Sequence, residues 1–295
     1  MTYWLVANPK AGDGARGKDF WLAALERAGI SEPRPVGFDD QAWTDLVCRG
    51  DVLLVAGGDG SANFGAQLCL EKDATLAVLP SGTANDFARN LALPQDPDAL
   101  CALIAEGRSQ LVDVAEFGDR LFLNVAHVGL GTLPVRKSER AGKKLFGRFS
   151  YGLELLRRLN AARGFRAEIR CDKSEVEGRW LSVAIASGAF FGGGNEIPEA
   201  SANDGQLTMV AIKPRSLGQL LLAFLTVRLN RSRDRTGTVV QMTGQRCSVM
   251  TGKAKTVTAD GDVAGETPLQ VVCRPRCLRV IGKTVVSTAP RKTAS

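Results

Sequence analysis

At 295 residues the chain is too long for one small core and long enough for two domains. Its 38 lysines and arginines against 31 aspartates and glutamates give a net charge of +7. That balance permits an acidic partner (nucleic acid, an anionic membrane or a phosphorylated substrate) without choosing among them. Mean hydropathy is near zero, at −0.04, and no apolar run reaches membrane-spanning length, which argues against an integral membrane protein.

The first third alternates strands and helices. YWLVANP (3–9) reads as a strand, GKDFWLAALERAG (17–29) as a helix closed by Gly29, and RPVGF (34–38) as a short strand. AWTDLVCRG (42–50) then predicts a helix, DVLLVA (51–56) a buried strand and SANFGAQLCLEK (61–72) a helix. TLAVLP (75–80) follows as a strand and TANDFARNLAL (83–93) as another helix. Strands at this spacing imply right-handed crossovers and a parallel sheet, with ligands gathering beyond the carboxyl ends of the strands.

From about residue 110 the pattern becomes a run of strands, among them DVAEFGDRLFLNVAHV, FRAEIRCD, RWLSVAIAS, QLTMVAI, TVVQMTG, CSVMTG and LQVVCRP. Helical interruptions are expected at 143–161 and 216–229. The fold class predicted is an α/β domain with a parallel sheet over residues 1–126, then a mostly antiparallel β domain over 127–280. The active site is expected in the cleft between them, and the tail from about 281 to 295 is expected to return to the first domain. The start, MTYWLVANPK, has no basic segment or long apolar stretch, which predicts no secretory signal and a cytoplasmic protein. Seven scattered cysteines (48, 69, 101, 171, 247, 273 and 277) read as reduced thiols, since only Cys273 and Cys277 are close and no histidine or second pair completes a zinc site.

Three strand ends are rich in glycine. VAGGDGSANFG places Gly57, Gly58, Asp59, Gly60, Ser61 and Asn63 where a strand gives way to a helix. Main-chain N–H groups point outward there, and glycines let phosphate oxygens approach them. Asp59 cannot itself hold phosphate; its use would be to bind Mg²⁺ against a nucleotide. A tight turn with a capping aspartate explains the same residues equally well. LPSGTANDFARN repeats the pattern with Gly82, Thr83, Asn85 and Asp86, and two carboxylates at adjacent strand ends repel unless a cation lies between them. NPKAGDGARG, with Asn8, Pro9, Lys10, Ala11 and Gly12, adds a third such loop and positive charge. Three of the first four strand ends so equipped favour a nucleotide phosphate cradle over three unrelated connectors.

Taken with DGD at 260–262, the motifs NPKAGDG, GGDGSAN and PSGTANDFAR resemble the diacylglycerol kinase catalytic-domain family, which includes bacterial soluble lipid kinases and the sphingosine and ceramide kinases. GGDG alone is shared with NAD kinases and phosphofructokinases; PSGTANDFAR with NPxxG upstream is more specific. The resemblance implies ATP held by the 8–14 loop, by Gly57 to Asn63 and by Thr83. It also implies an aspartate–water–Mg²⁺ network through Asp59 and Asp86. It makes Asp260 the general base with Asp262 beside it, and an Asp-Gly hairpin turn is the alternative reading of that triplet. PEASANDGQLTMV resembles the family segment for a structural Mg²⁺, with Asp204 and the carbonyls of Ser201 and Gln206 as ligands, while an Asn-Asp-Gly turn reads as well from the residues alone.

Two departures stand out. Asp262 replaces the usual glutamate, shortening its reach by roughly 1.5 Å, and Phe38-Asp39-Asp40 lies where relatives carry a threonine facing the nucleotide. GGGN (192–195) reads as a loop beside the cleft, and His127 as structural. RKSERAGKKLFGRF (136–149) carries six basic residues and two phenylalanines. The segment 136–148 is expected to hold the protein peripherally on anionic lipid at the inner face of the membrane, with Arg228, Arg231, Arg233 and Arg235 as a second patch. The resemblance thus implies a lipid acceptor (diacylglycerol, phosphatidylglycerol or a sphingoid base) and no nucleic acid, and the oligomeric state stays open, a homodimer included. An NAD kinase-like phosphotransferase with a soluble acceptor and a catalytically weak, lipid-binding regulatory relative are the alternatives.

Overall fold

The computed structural model describes residues 1–12, 14–40, 42–129, 164–197, 199–216, 218–220 and 237–282. The expected helix at 143–161, most of that at 216–229, the basic segment 136–149, the arginines at 228–235 and the tail beyond 282 lie outside these residues. Among the described residues, no helix is long and apolar enough to cross a membrane.

The chain divides into two compact units. One takes residues 1–124, 187–206 and those from 273 onward; the other takes 125–186 and 207–272. Against the division expected from the sequence, 1–126 with the returning tail and 127–280, the first unit also takes residues 187–206 and takes the chain back from 273. The first recovers a 20-residue excursion and the end of the last strand.

The first unit is a parallel sheet between two helical layers. Its strands are β1 (Tyr3–Ala7), β2 (Arg34–Val36), β3 (Val52–Gly57) and β4 (Thr75–Pro80). They lie in the order β2-β1-β3-β4, and the far end of β18 (Leu269–Ile281) adds beside β4, all in parallel. Side chains alternate along each strand, and both faces are covered. Trp4, Val6, Leu53, Val55, Leu76 and Val78 pack under α2 (Asp59–Lys72) and α3 (Asp86–Asn90). Leu5, Leu54, Ala77 and Leu79 pack under α1 (Lys18–Arg27) and α4 (Pro97–Ala105). β5 (Ser109–Phe117) pairs with β18 and with β6 (Arg120–Phe122). A short hairpin, β11 (Phe190–Phe191) and β12 (Asn195–Glu196), completes this unit.

Two local expectations need correction, and one further helix is present. Ala42–Leu46 forms one 3₁₀ turn in place of a helix over 42–50, because Asp51 pulls in the Cys48 N–H and ends it. α3 runs only Asp86–Asn90 in place of 83–93; Asn85, at φ 52°, starts it late, and Leu91 caps it. α4 was not anticipated, although Asp96 accepts from the Ala99 N–H and Pro97 occupies the first turn, an ordinary start signal.

Among the described residues of the second unit, all strand pairs are antiparallel. One sheet runs β14 (Val239–Gly244), β13 (Leu207–Ile212), β10 (Ser182–Ala186), β7 (Val125–Gly129), β16 (Thr256–Ala259), β17 (Asp262–Glu266). In the other, β15 (Arg246–Thr251) pairs with residues 269–272 of β18 on one side and with β8 (Phe165–Cys171) on the other, and β9 (Ser174–Trp180) flanks β8. The alternating burial of β8, Phe165, Ala167, Ile169 and Cys171 in and the rest out or partly out, is that of a sheet covered on one face.

Candidate active site

The three glycine-rich loops meet at the carboxyl ends of β1, β3 and β4. A cleft of about 480 Å³ opens there, lined by Gly12, Ala15, Arg16, Pro80, Ser81, Gly82, Thr83 and Asn85. Much of the glycine content serves the loops themselves. A Cβ at Gly12 would lie 2.2 Å from the Ser81 carbonyl, and one at Gly82 would lie 2.5 Å from the Cα of Gly58. Gly60 is different: a Cβ there meets nothing within 4 Å.

Asn8 organises the first loop. Its side chain accepts from the Lys10 N–H (2.9 Å) and donates to the Ser61 hydroxyl (3.1 Å), and its carbonyl accepts from the Ala11 N–H (3.1 Å). Pro9 and Lys10 are exposed. Asn85 clamps the third loop by exchanging two bonds with Gly82, accepting its N–H at 3.0 Å and donating to its carbonyl at 2.7 Å. Thr83 is exposed to the cleft. Asn63 turns away from these loops and donates to the Leu121 carbonyl of β6 (3.1 Å).

Asp59 lies within the first turn of α2, not in the middle of a loop. Gly58 is the N-cap and makes no side-chain capping bond. The first intrahelical bond is Ala62 N–H to the Gly58 carbonyl, so the N–H groups of Asp59, Gly60 and Ser61 precede it. The Asp59 carboxylate accepts at Oδ1 from the Phe87 N–H (2.8 Å) and from Asn124 Nδ2 (3.2 Å).

Asp86 is 3% exposed and accepts from the N–H groups of Gly193 (2.9 Å) and Gly194 (2.8 Å). Arg89 pairs with it at 3.2 Å and also donates to the Ala84 carbonyl. The repulsion expected between Asp59 and Asp86 is thus relieved on the Asp86 side by protein donors, and the GGG segment is the loop that supplies two of them.

In the 201–206 segment, Asp204 accepts the Gln206 N–H (3.0 Å) and the Ser201 hydroxyl donates to Asn203 (2.7 Å). Asp113, at 1% exposure, holds this turn through the Gly205 N–H (2.6 Å) and also accepts from the Arg276 N–H (2.8 Å). Although much of Asp204 faces solvent, partial burial of its carboxyl, and then the charge of Asp113, push it above its ordinary value against the Gln206 bond. Main-chain N–H groups occupy both Asp113 oxygens, so Asp204 is the carboxylate that this turn leaves facing solvent. Among the described residues, no group of three or more His, Cys, Asp and Glu is placed to hold a metal ion.

The DGD triplet forms the hairpin turn between β16 and β17. Asp260 and Gly261 both have positive φ, 47° and 92°, the geometry of a two-residue turn that suits the strand twist. Asp260 is also anchored. Its N–H donates to the Val125 carbonyl (3.0 Å), and its Oδ1 accepts the Val125 N–H (3.1 Å). Asp262 is exposed. Phe38 packs on Phe64 with ring centres 5.4 Å apart.

Asn90, Asn124, Asp113 and the amides of 193–194 escaped the sequence reading. The signal available was polar residues inside apolar runs (RNLAL, LFLNVAHV), which once buried must find partners.

A parallel sheet with glycine-rich loops at its strand ends, joined to an antiparallel β unit, is the build of the diacylglycerol kinase-like folds. Residues 2–117 match the model of the diacylglycerol kinase catalytic domain, and residues 126–282 match that of the YegS C-terminal NAD kinase beta sandwich-like domain. The chain belongs to the family that combines these two domains. A "Probable lipid kinase YegS-like" protein of Cronobacter sakazakii is 36% identical over 180 residues, 59% of this chain and 60% of the relative. One of Pseudomonas aeruginosa is 32% identical over 201 residues, 65% and 66% of the two chains. The chain thus spans about 60% of the length of the curated relatives it matches. A crystal structure of a diacylglycerol kinase from Bacillus anthracis has the same fold, with TM-score 0.70 and 22% identity over 96% of this chain and 97% of the other.

Proposed function

We propose that this protein is a lipid kinase that transfers the γ-phosphoryl group of ATP to a lipid hydroxyl. The observation that carries the reading is the 480 Å³ cleft at the strand ends, walled by Gly12, Arg16, Ser81, Gly82 and Thr83. It lies in the same unit as α2, whose N-terminus has no capping side chain. Arg16 supplies charge for the phosphates, and the free first turn of α2 supplies oriented N–H groups. Mg²⁺, held by Asp59 and by Asp204 with the Ser201 and Gln206 carbonyls, would neutralise phosphate charge in the first case and brace the 201–206 turn in the second. Asp260 takes the acceptor's proton; this role rests on the match of DGD to the family pattern. The acceptor is a membrane lipid alcohol, and the basic segment 136–148 draws the protein to anionic lipid at the inner face of the membrane.

The test is a radiolabelled-ATP screen over a total lipid extract, with NAD as a soluble control acceptor. Label should appear in a lipid with the wild type and fall by about 10²- to 10⁴-fold in Asp260→Asn. Label in NAD alone would replace the lipid reading with that of an NAD kinase-like enzyme, and equal activity in Asp260→Asn would remove the base. Binding to vesicles that is indifferent to anionic lipid and to charge reversal at 136–148 would remove the membrane contact.

A further inference from the structure

Asp59 is held by one oxygen. Both of its hydrogen bonds, from the Phe87 N–H and from Asn124 Nδ2, fall on Oδ1. Among the described residues no donor reaches Oδ2. Asn124 itself is 3% exposed and Asn90, its neighbour, 5%. A buried amide is costly unless it is hydrogen-bonded, so a pair of asparagines among apolar side chains needs a reason.

The pair has a fixed direction. The Phe190 N–H can only donate, and it donates to Asn90 Oδ1 (2.8 Å). Asn90 must therefore present its Nδ2 to Asn124, whose Oδ1 accepts at 2.9 Å. Asn124 in turn presents Nδ2 to Asp59. Gly188 packs closely against the Asn90 amide, since a Cβ there would lie 2.4 Å from its Nδ2. The main chain of Asn124 is fixed as well, its carbonyl accepting the Ser187 N–H at 2.9 Å. A peptide N–H more than a hundred residues away in sequence thus sets which way a donor points at Asp59.

We infer that Asn124, oriented by Asn90, is a positioning residue for phosphoryl transfer: it fixes the Asp59 carboxylate so that Oδ2 is the oxygen offered to the cation. The inference rests on the lipid kinase reading above. It reaches further because it assigns a role to two residues that touch neither nucleotide nor acceptor.

A double-substitution cycle tests it. Asn124→Asp is isosteric and still accepts from Asn90, but it turns the donor facing Asp59 into an acceptor. In the wild-type background kcat should fall about 10- to 100-fold, the range seen when a residue orienting a ligand is lost, with KM for the lipid unchanged. In an Asp59→Asn background the same substitution should cost less than about threefold more, because no carboxylate remains at position 59 for residue 124 to orient. Asn124→Ser, which is shorter and uncharged, guards against misfolding of the first variant. By calorimetry it should lose the Mg²⁺-dependent part of ADP affinity about tenfold while metal-free ADP binding holds. Equal losses of kcat in both backgrounds, or unchanged Mg²⁺ dependence in Asn124→Ser, overturn the positioning role alone. A wild type that neither binds ADP nor phosphorylates lipid overturns the kinase reading and the inference with it.

Discussion

Gly60→Ala separates glycines that the loops need from a glycine that a ligand needs. The new methyl group would meet nothing within 4 Å, and the residue does not occupy the left-handed region. Alanine exceeds glycine by up to about 1 kcal/mol in helix propensity, less in a first turn, so the fold should be unharmed or slightly firmer. Phosphate oxygens resting on the N–H groups of Asp59, Gly60 and Ser61 would feel the methyl at once. One charge-assisted bond of about 1.5–3 kcal/mol displaced corresponds to roughly 10- to 100-fold weaker ATP binding. The assay is calorimetric ADP titration with Mg²⁺, beside a thermal melt of the same sample. An unchanged Kd with an unchanged Tm would refute phosphate binding at this helix start.

Gly65→Ala should destabilise in spite of better helix propensity, because its Cβ would lie 2.6 Å from Val55 Cγ2 and 2.9 Å from Leu76 Cδ1. Overpacking of this kind costs about 1–3 kcal/mol, and a Tm at or above that of the wild type would show that α2 can lift off the sheet freely. Asp51→Asn should lose about 1.5–3 kcal/mol at neutral pH. Its carboxylate receives donors on both oxygens, Thr2 N–H at 2.7 Å, Trp4 Nε1 at 3.0 Å and Cys48 N–H at 3.1 Å, and an amide can accept on only one. Burial would raise the Asp51 carboxyl, but those donors and the N-terminal ammonium together hold it below its ordinary value. Its stabilisation is therefore present above about pH 4 and lost as pH falls further, so wild type and variant should converge in urea melts below that pH. Burial pushes the His127 imidazole down to about 4. The unfolded chain takes up the proton first, so stability is complete above about pH 6.5 and declines from there toward pH 4, by on the order of 3 kcal/mol. His127→Gln should flatten that part of the stability profile, and an unaltered slope would show that the histidine titrates normally.

The four parallel strands, α1, α2 and the glycine-rich mouths at the strand ends were legible in the residues, because apolar period and turn chemistry act over a few residues. Turn chemistry likewise marked Asp59 and Asp86 at the glycine-rich strand ends, whereas Asp204 and Asp260 were singled out by the family resemblance. α4 was equally legible from Asp96 and Pro97. The tertiary structure alone decided what those carboxylates touch. Asp59 answers to Asn124, 65 residues on, and Asp86 to Gly193 and Gly194, more than a hundred on. Asp260 answers to Val125, 135 residues back. Such partners are single donors scattered through unrelated segments, and only burial, which makes an unmatched polar group costly, selects which of them meet.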